Sequence, residues 1–496
     1  MSQDKGVLKS SLTSYYVWMV ISVLFMFLFG KVVRPFAGIN AMGINILGIF
    51  FGVLIATIAT NEIFWPAVLG LFAMVLCGFE KANPLLSAWF GNSTIQQIIW
   101  VMAFTGAVTD SGAINVLSRR FLGLKVLQGH PRRLVLAIFF AVLICSALVS
   151  SPTAMLLLWY PILDGICDTC KVEKNSELKR HLLLGVYISA MGAYILPFKG
   201  VHLSSIAIIN SIMEANGLEF NNGLYLLTAT LVVMLFVVAY SFFMFFVWKT
   251  DLTPLSDFSF VKLGIKDSDL HMNKRQSILL TFMVVGVLFL ISSLVLPTNS
   301  LPMKFYNLVG TTWVWIFLFV ILCMMRDEEG KPFINGAKLL QMKTMWNIVA
   351  AAGCFTILGR AIASDDYGIK AAIGNALSPI LGNASWPIMV IFCVLISTVF
   401  TNFTNGMPVS FTINAICIPI ACRLELAGGG NATILGVATI LSGMCAFLTN
   451  GAIAYAPIML GREEMTQKFI FTKGVVTNGI FIVLTSVLCI LLGLVA

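Results

Sequence analysis

The sequence predicts an all-α polytopic membrane protein: eleven transmembrane helices plus two opposed re-entrant helical hairpins, arranged as an inverted repeat. Three observations carry this prediction: the composition, the placement of Lys and Arg, and two apolar runs that fit neither one crossing nor two. Of 496 residues, 59% are hydrophobic and 11% are charged, whereas soluble domains carry about 25% charged residues. A water-facing surface of this size cannot be built from so few charges, which excludes a cytosolic enzyme, a disordered scaffold and a nucleic-acid binder.

A helix needs about 20 apolar residues to cross the hydrocarbon. Candidate crossings lie at 13–30, 42–60, 63–79, 97–117, 183–212, 223–248, 277–297, 309–325, 344–364, 432–460 and 474–496, with 183–212 and 432–460 each interrupted. The first follows Lys5 and Lys9 without a small-residue cleavage site and reads as a retained span. Segments 134–167 and 386–421 are too long for one crossing and have a polar or Pro/Gly break at the middle instead of a charged loop. Arg119, Arg120, Lys125, Arg132 and Arg133 precede the first, and Lys171, Lys174, Lys179 and Arg180 follow it. Both of its ends therefore want the cytoplasm, so it enters and returns. Segment 386–421 has sparse flanks, as suits a hairpin entering from the opposite face.

With the N-terminus inside, cytoplasmic loops hold 23 Lys and Arg and external loops hold 6, while Lys199 and Arg360 fall within spans, accounting for all 31. This orients the chain as a multi-pass protein of the plasma (inner) membrane with a cytoplasmic N-terminus. The order also repeats: Trp100 and Trp346, the tips near 151 and 405, and the breaks near 199 and 453 are offset by 246, 254 and 254 residues. Opposite entry of the hairpins makes the halves inverted, an architecture of secondary transporters. The expected organisation is scaffold spans in 1–96, a first transport half in 97–248, a cytoplasmic linker at 249–276, further scaffold spans in 277–343, and a second transport half in 344–496.

Irregular backbone at membrane depth survives only where it is buried in protein or lines a cavity. The first tip reads Val149-Ser150-Ser151-Pro152-Thr153 and the second Thr401-Asn402-Phe403-Thr404-Asn405-Gly406-Met407-Pro408. Each joins hydroxyl or amide groups to a helix N-terminus, whose free N–H groups and positive dipole end attract anions. Ser150, Ser151, Thr153, Thr404, Asn405 and Gly406 are the candidate substrate residues, for a small organic anion with carboxylate the natural guest. The plainer account is that Ser, Thr, Gly and Pro ease helix packing.

The interrupted helices break at Ala193–His202 and at Phe447–Ala452. Carbonyls freed at such breaks coordinate coupling cations in transporters. Lys199, His202, Thr449 and Asn450 are the candidate cation or charge-compensating positions. An intramembrane lysine is costly and normally has a partner or a role; the alternative for Lys199 is snorkelling toward water. His130, His181 and His271 read as solvated loop or span-edge residues, and Asp110 as an interfacial carboxylate. The eleven Cys, including the lone Cys167-x-x-Cys170 pair, read as small apolar residues. No catalytic or metal constellation and no phosphate loop is found, so no enzymatic activity and no cofactor is expected, beyond a coupling Na⁺ or H⁺.

These residues resemble the divalent anion/sodium symporters of the ion-transporter superfamily, over nearly the whole chain. That family carries a Ser-Asn-Thr triplet at each tip; here Ser151-Pro152-Thr153 precedes Pro161-Ile162 at the family's spacing, with Pro152 replacing the amide residue. At the second tip only the leading Thr401-x-Phe403-Thr404 is retained. The family's Thr-Pro-Pro-Asn falls on Lys199–His202 and on Ile453–Ala456, and neither keeps it. The resemblance implies a homodimer in lipid, in which a transport domain slides elevator-fashion against a scaffold and carries di- or tricarboxylates. Open alternatives are a carrier of an inorganic oxyanion or an amide-linked acid, and an anion channel or non-transporting receptor on the same fold.

Both departures fall on the family's sodium positions, so the Lys199 ammonium is read as replacing one sodium ion. Lys199→Gln is then expected to abolish anion binding, and uptake into proteoliposomes at constant voltage should not rise with Na⁺. Unchanged affinity in the variant would sink the idea.

Overall fold

The computed structural model is helical, with no strand among the described residues. Those residues are 2–60, 62–123, 127–149, 151–198, 200–258, 270–295, 300–327, 329–372, 375, 385–404, 406–449, 452–453 and 455–495. Of the candidate site residues, Ser150, Lys199, Asn405 and Asn450 lie outside them.

The chain opens with α1 (Ser2–Val32), α2 (Ala41–Thr60), α3 (Phe64–Leu76) and α4 (Ala82–Phe90). The first half continues with α5 (Ser93–Asp110), α6 (Ala113–Leu122), α7 (Pro131–Val149), α8 (Pro152–Thr169), α9 (Glu177–Ser189), α10 (Leu203–Ala215) and α11 (Asn222–Phe242). After the linker come α12 (Lys274–Val295), α13 (Leu301–Met324), α14 (Gly336–Lys343) and α15 (Trp346–Ala363). The second half ends with α16 (Trp386–Thr401), α17 (Gly406–Leu426), α18 (Ala432–Met444), α19 (Ala456–Leu460) and α20 (Gln467–Val495).

Starts follow local chemistry. Asn92 and Asn431 head Asn-x-Ser/Thr triplets, and their side chains cap α5 and α18 by accepting from Ile95 N and Ile434 N. In α13 the chain turns by 91° at Gly310, whose φ of +70° suits a residue without Cβ.

Seven described helices are long and apolar enough to cross a membrane: Leu12–Val32, Ala41–Thr60, Pro131–Val149, Asn222–Val247, Trp346–Ala363, Gly406–Leu426 and Gln467–Val495. Five of these coincide with expected crossings and two are hairpin arms. The expected crossings at 183–212 and 432–460 appear as short helices on either side of irregular backbone.

Contacts along the interrupted helices fix the topology of each half. α7 runs alongside α9 in the same direction, since a Cβ on Gly185 would meet the Phe139 ring and one on Gly192 the Leu143 carbonyl. α8 runs against α9, because Tyr160 Oη donates to Leu183 O and Asp164 pairs with Lys179. The two arms are thus antiparallel, with both open ends where α9 begins. The second half repeats the pattern. α16 runs with α18, through Trp386 against Gly430 and Thr401 against Gly443. α17 runs against it, through Gly406 on Gly443, Asn414 on Thr439 and Glu425 on Ala432.

The two interrupted helices lie antiparallel to each other along their length. Met213 meets Thr433, Ile209 meets Gly436, Tyr187 meets Ala446, and Lys179 meets Glu464. The hairpins therefore open at opposite ends of the molecule, and the repeat is inverted.

One end is closed by a charged box. Arg462 Nη2 contacts both Asp164 oxygens at 2.7 and 2.8 Å, and Lys179 Nζ lies 3.0 Å from Asp164 and 3.2 Å from Glu464. Lys179 and Glu464 are buried. Beside the box, His181 is fully buried, stacked on Trp248 with Nδ1 3.0 Å from Tyr240 Oη. This corrects the solvated reading of His181: α9 begins at Glu177, and the residue falls on its packed face.

Burial pushes the Glu464 carboxyl up, but the backbone hydrogen bond, Lys179 and Arg462 outweigh it and hold its pKa down at about 2, below the usual 4.5. A depressed folded-state pKa gives stability that is complete above pH 4.5 and lost as pH falls toward 2. Thermal unfolding in detergent should show the midpoint falling between pH 5 and pH 3. Glu464→Gln should lower the midpoint at pH 7 and flatten the acid slope; an unchanged slope would refute the assignment.

Candidate functional site

Each hairpin tip is seated on the break of its own half. At the first, the Ser151 hydroxyl caps α8 by accepting from Ala154 N at 3.3 Å, and Pro152 occupies the first helical position, where its missing N–H costs nothing. Ser151 lines a cavity of about 180 Å³ together with Thr105, Thr109, Gly200, Val201 and Lys343. Thr153 is exposed.

At the second tip Gly406 begins α17 against the end of α18: a Cβ there would fall 1.8 Å from Gly443 O, so only glycine permits the approach. Thr404, half-buried, donates to Phe400 O at 3.2 Å. Asn402, in the tip sequence but not among the candidates, is buried and holds the second break together. Its Oδ1 accepts from Phe447 N and Leu448 N at 3.0 and 2.9 Å, and its Nδ2 donates to Thr398 O at 2.8 Å. Thr449 returns the contact by donating to the Asn402 carbonyl at 2.5 Å.

The carbonyls freed by the breaks also have partners. Tyr187 Oη donates to Ala446 O at 2.6 Å, Tyr455 Oη to Met444 O at 3.2 Å, and Thr401 Oγ1 to Gly443 O at 2.7 Å. In the first break His202 Nε2 donates to Leu196 O at 2.9 Å and Gln97 Nε2 to Phe198 O at 3.0 Å. The His202 ring is buried between Tyr194 and Tyr225 and is not among the described residues lining the first-tip cavity. Ser146 and Ser397, within two turns of the tips, carry buried hydroxyls with no hydrogen-bond partner among the described residues.

A second cavity, about 760 Å³, lies on the other side of the first break, with Gln96, Trp100, Pro197, Asn210 and Thr312 on its walls. Gln97 lines this second cavity and donates to Phe198 O, and the Phe198 ring lies tilted 5.9 Å from Trp315. The structure thus places Ser151 and Lys343 on one cavity, and seats Gly406 on Gly443 and Thr449 on Asn402. No cluster of three or more His, Cys, Asp or Glu side chains placed to hold a metal exists among the described residues. The sequence signals for Asn402 and Gln97 were an amide in a tip and an amide at the start of an apolar span; Lys343 looked like an ordinary loop charge.

Two antiparallel interrupted helices, each clasped by a hairpin, define a membrane transporter fold. The profile of the family described as CitMHS, citrate transporter, matches residues 52–441, and the chain belongs to that family, within the ion-transporter superfamily. It is a membrane transporter and not an enzyme. Among solved structures it is similar to MtrF of Neisseria gonorrhoeae, whose structure illuminates a class of antimetabolite efflux pumps, at TM-score 0.55 and 13% identity over 85% of this chain and 84% of that one. It is also similar to the YdaH transporter of Alcanivorax borkumensis, which has an unusual topology, at TM-score 0.50 and 12% identity over 82% and 88%. At these identities the likeness is one of fold. No curated protein matches the chain in sequence.

Asn402→Ala would orphan the buried Phe447 N–H, costing roughly 1–3 kcal/mol, and the half-buried Leu448 N–H beside it. A clear fall in thermal midpoint together with lost transport is expected, and Asn402→Asp, which keeps the acceptor, should recover part of both. A wild-type midpoint in the alanine variant would show that the amide does not hold the break.

Proposed function

We propose that this protein is a secondary active carrier of small organic anions, with di- and tricarboxylates, citrate foremost, as substrates. The observation that carries this is the coincidence of the family match over 52–441 with two inverted tips, each ending in a helix N-terminus on a polar break. The N-terminal N–H groups of α8 and α17 favour negative charge, and Ser151, Thr153, Thr404 and Gly406, with the flanking Ser150 and Asn405, would supply hydrogen bonds and close backbone approach.

Movement follows from the same geometry. Hairpins and interrupted helices are tied to one another and would travel as a body past the scaffold helices, as an elevator does, within a homodimer of the plasma membrane with its N-terminus in the cytoplasm. The hairpins, antiparallel in their arms and opening at opposite ends, would be re-entrant from opposite faces.

Sodium fits poorly as the coupling ion, because the break carbonyls at Leu196, Phe198, Gly443, Met444 and Ala446 already accept from protein donors. A sodium ion would have to share them. The proposal is therefore sodium-independent transport, by exchange or with H⁺, with Lys199 compensating substrate charge.

Counterflow of labelled citrate into proteoliposomes preloaded with citrate, succinate, malate, aspartate or sulfate tests the proposal. Saturable uptake accelerated by internal citrate is expected, reduced by Ser151→Ala. Flux without trans-acceleration would indicate a channel, and acceleration by sulfate alone would indicate an oxyanion carrier.

A further inference from the structure

The first-tip cavity is lined by a charged residue that the tip itself does not provide. Lys343, the last residue of α14, is the one charged residue among the described residues lining it, and it shares the cavity wall with Ser151. Its position is set by packing: a Cβ on Gly106 would lie 2.5 Å from Lys343 Cγ, so the lysine stem lies flat on α5 where that helix has no side chain. The stem leads the ammonium to Asp110, at the end of α5, with Nζ 2.7 Å from Oδ1.

That ion pair is made through one carboxylate oxygen, and the two side chains are 31% and 52% exposed. A pair of this kind is held weakly, since water screens it and neither charge is stranded when it opens. A second carboxylate in the cavity would meet the same ammonium from the Ser151 side. We propose that Lys343 is an anion-binding residue of the first-tip site, held by Asp110 when the site is empty and shared with or transferred to a substrate carboxylate when it fills. Asp110 is then an internal competitor: it keeps the ammonium in place and lowers affinity, which favours release on that side. The inference rests on the organic-anion function proposed above.

Equilibrium binding of labelled citrate to the full-length protein, at fixed ionic strength and pH 7, tests it. Lys343→Gln should weaken binding about tenfold, the loss of one charge-assisted contact, while Lys343→Arg stays near wild type. Asp110→Asn should tighten binding several-fold, a gain that misfolding cannot produce. In the Lys343→Gln background the Asp110→Asn gain should vanish, because the two act through one contact. Wild-type citrate binding with unchanged affinity in Lys343→Gln and Asp110→Asn would overturn this inference alone. A wild type that binds no citrate would overturn the function and this inference with it.

Discussion

Backbone that leaves the helix inside a membrane loses its own hydrogen-bond partners and has no water to replace them. Everything else in this fold is arranged around meeting that demand at two breaks. The partners are few and specific: Asn402 supplies two acceptor contacts to the second break, Gln97 and His202 supply donors to the first, and tyrosine hydroxyls close the Ala446 and Met444 carbonyls. Because the breaks are satisfied by side chains and not by continuous helix, the backbone between them is free of regular geometry while remaining inside the protein. That is the condition for placing helix N-termini at the centre of a membrane protein.

The same contacts explain why the tips sit where they do. A hairpin tip is short of partners for the same reason as a break, and the two deficits meet: the Gly443 carbonyl takes the Thr401 hydroxyl, and the Asn402 carbonyl takes that of Thr449. Gly406 lets the two backbones touch. At the opposite end the charged box of Asp164, Lys179, Arg462 and Glu464 joins the open end of the first hairpin to the loop after α19. Polar contacts thus fasten the second break and one end of the interrupted helices.

Much of the fold was legible because its breaks interrupt otherwise uniform apolar runs. The run 134–167 became α7 and α8 around Ser151-Pro152, and 386–421 became α16 and α17 on either side of the turn at Asn402–Thr404, since proline, glycine and hydroxyl residues are conspicuous against leucine and phenylalanine. Basic residues marked the ends of the first run. The site was less legible. Tyr187, Tyr194 and Tyr455 have the same signature in an apolar run whether they fill space or donate across the molecule, and only the fold brings residues some 260 positions apart into contact. His181 looked like a loop residue because its neighbours in sequence are charged, yet one helical face buries it. Lys343 was counted toward the orientation of the chain; what it touches depends on Gly106, whose missing side chain leaves no trace in a hydropathy pattern.

The hydroxyl link between Tyr194 and Tyr455 has a bearing on how such a chain changes over time. Each half of the repeat completes the polar valences of the other, so neither is an independent unit that drifts alone. A substitution at one tyrosine alters what is tolerated at a position in the opposite half, and paired changes should be accepted where single ones are rejected. A repeat closed in this way becomes a single object: two halves in architecture, and one in what substitution it tolerates.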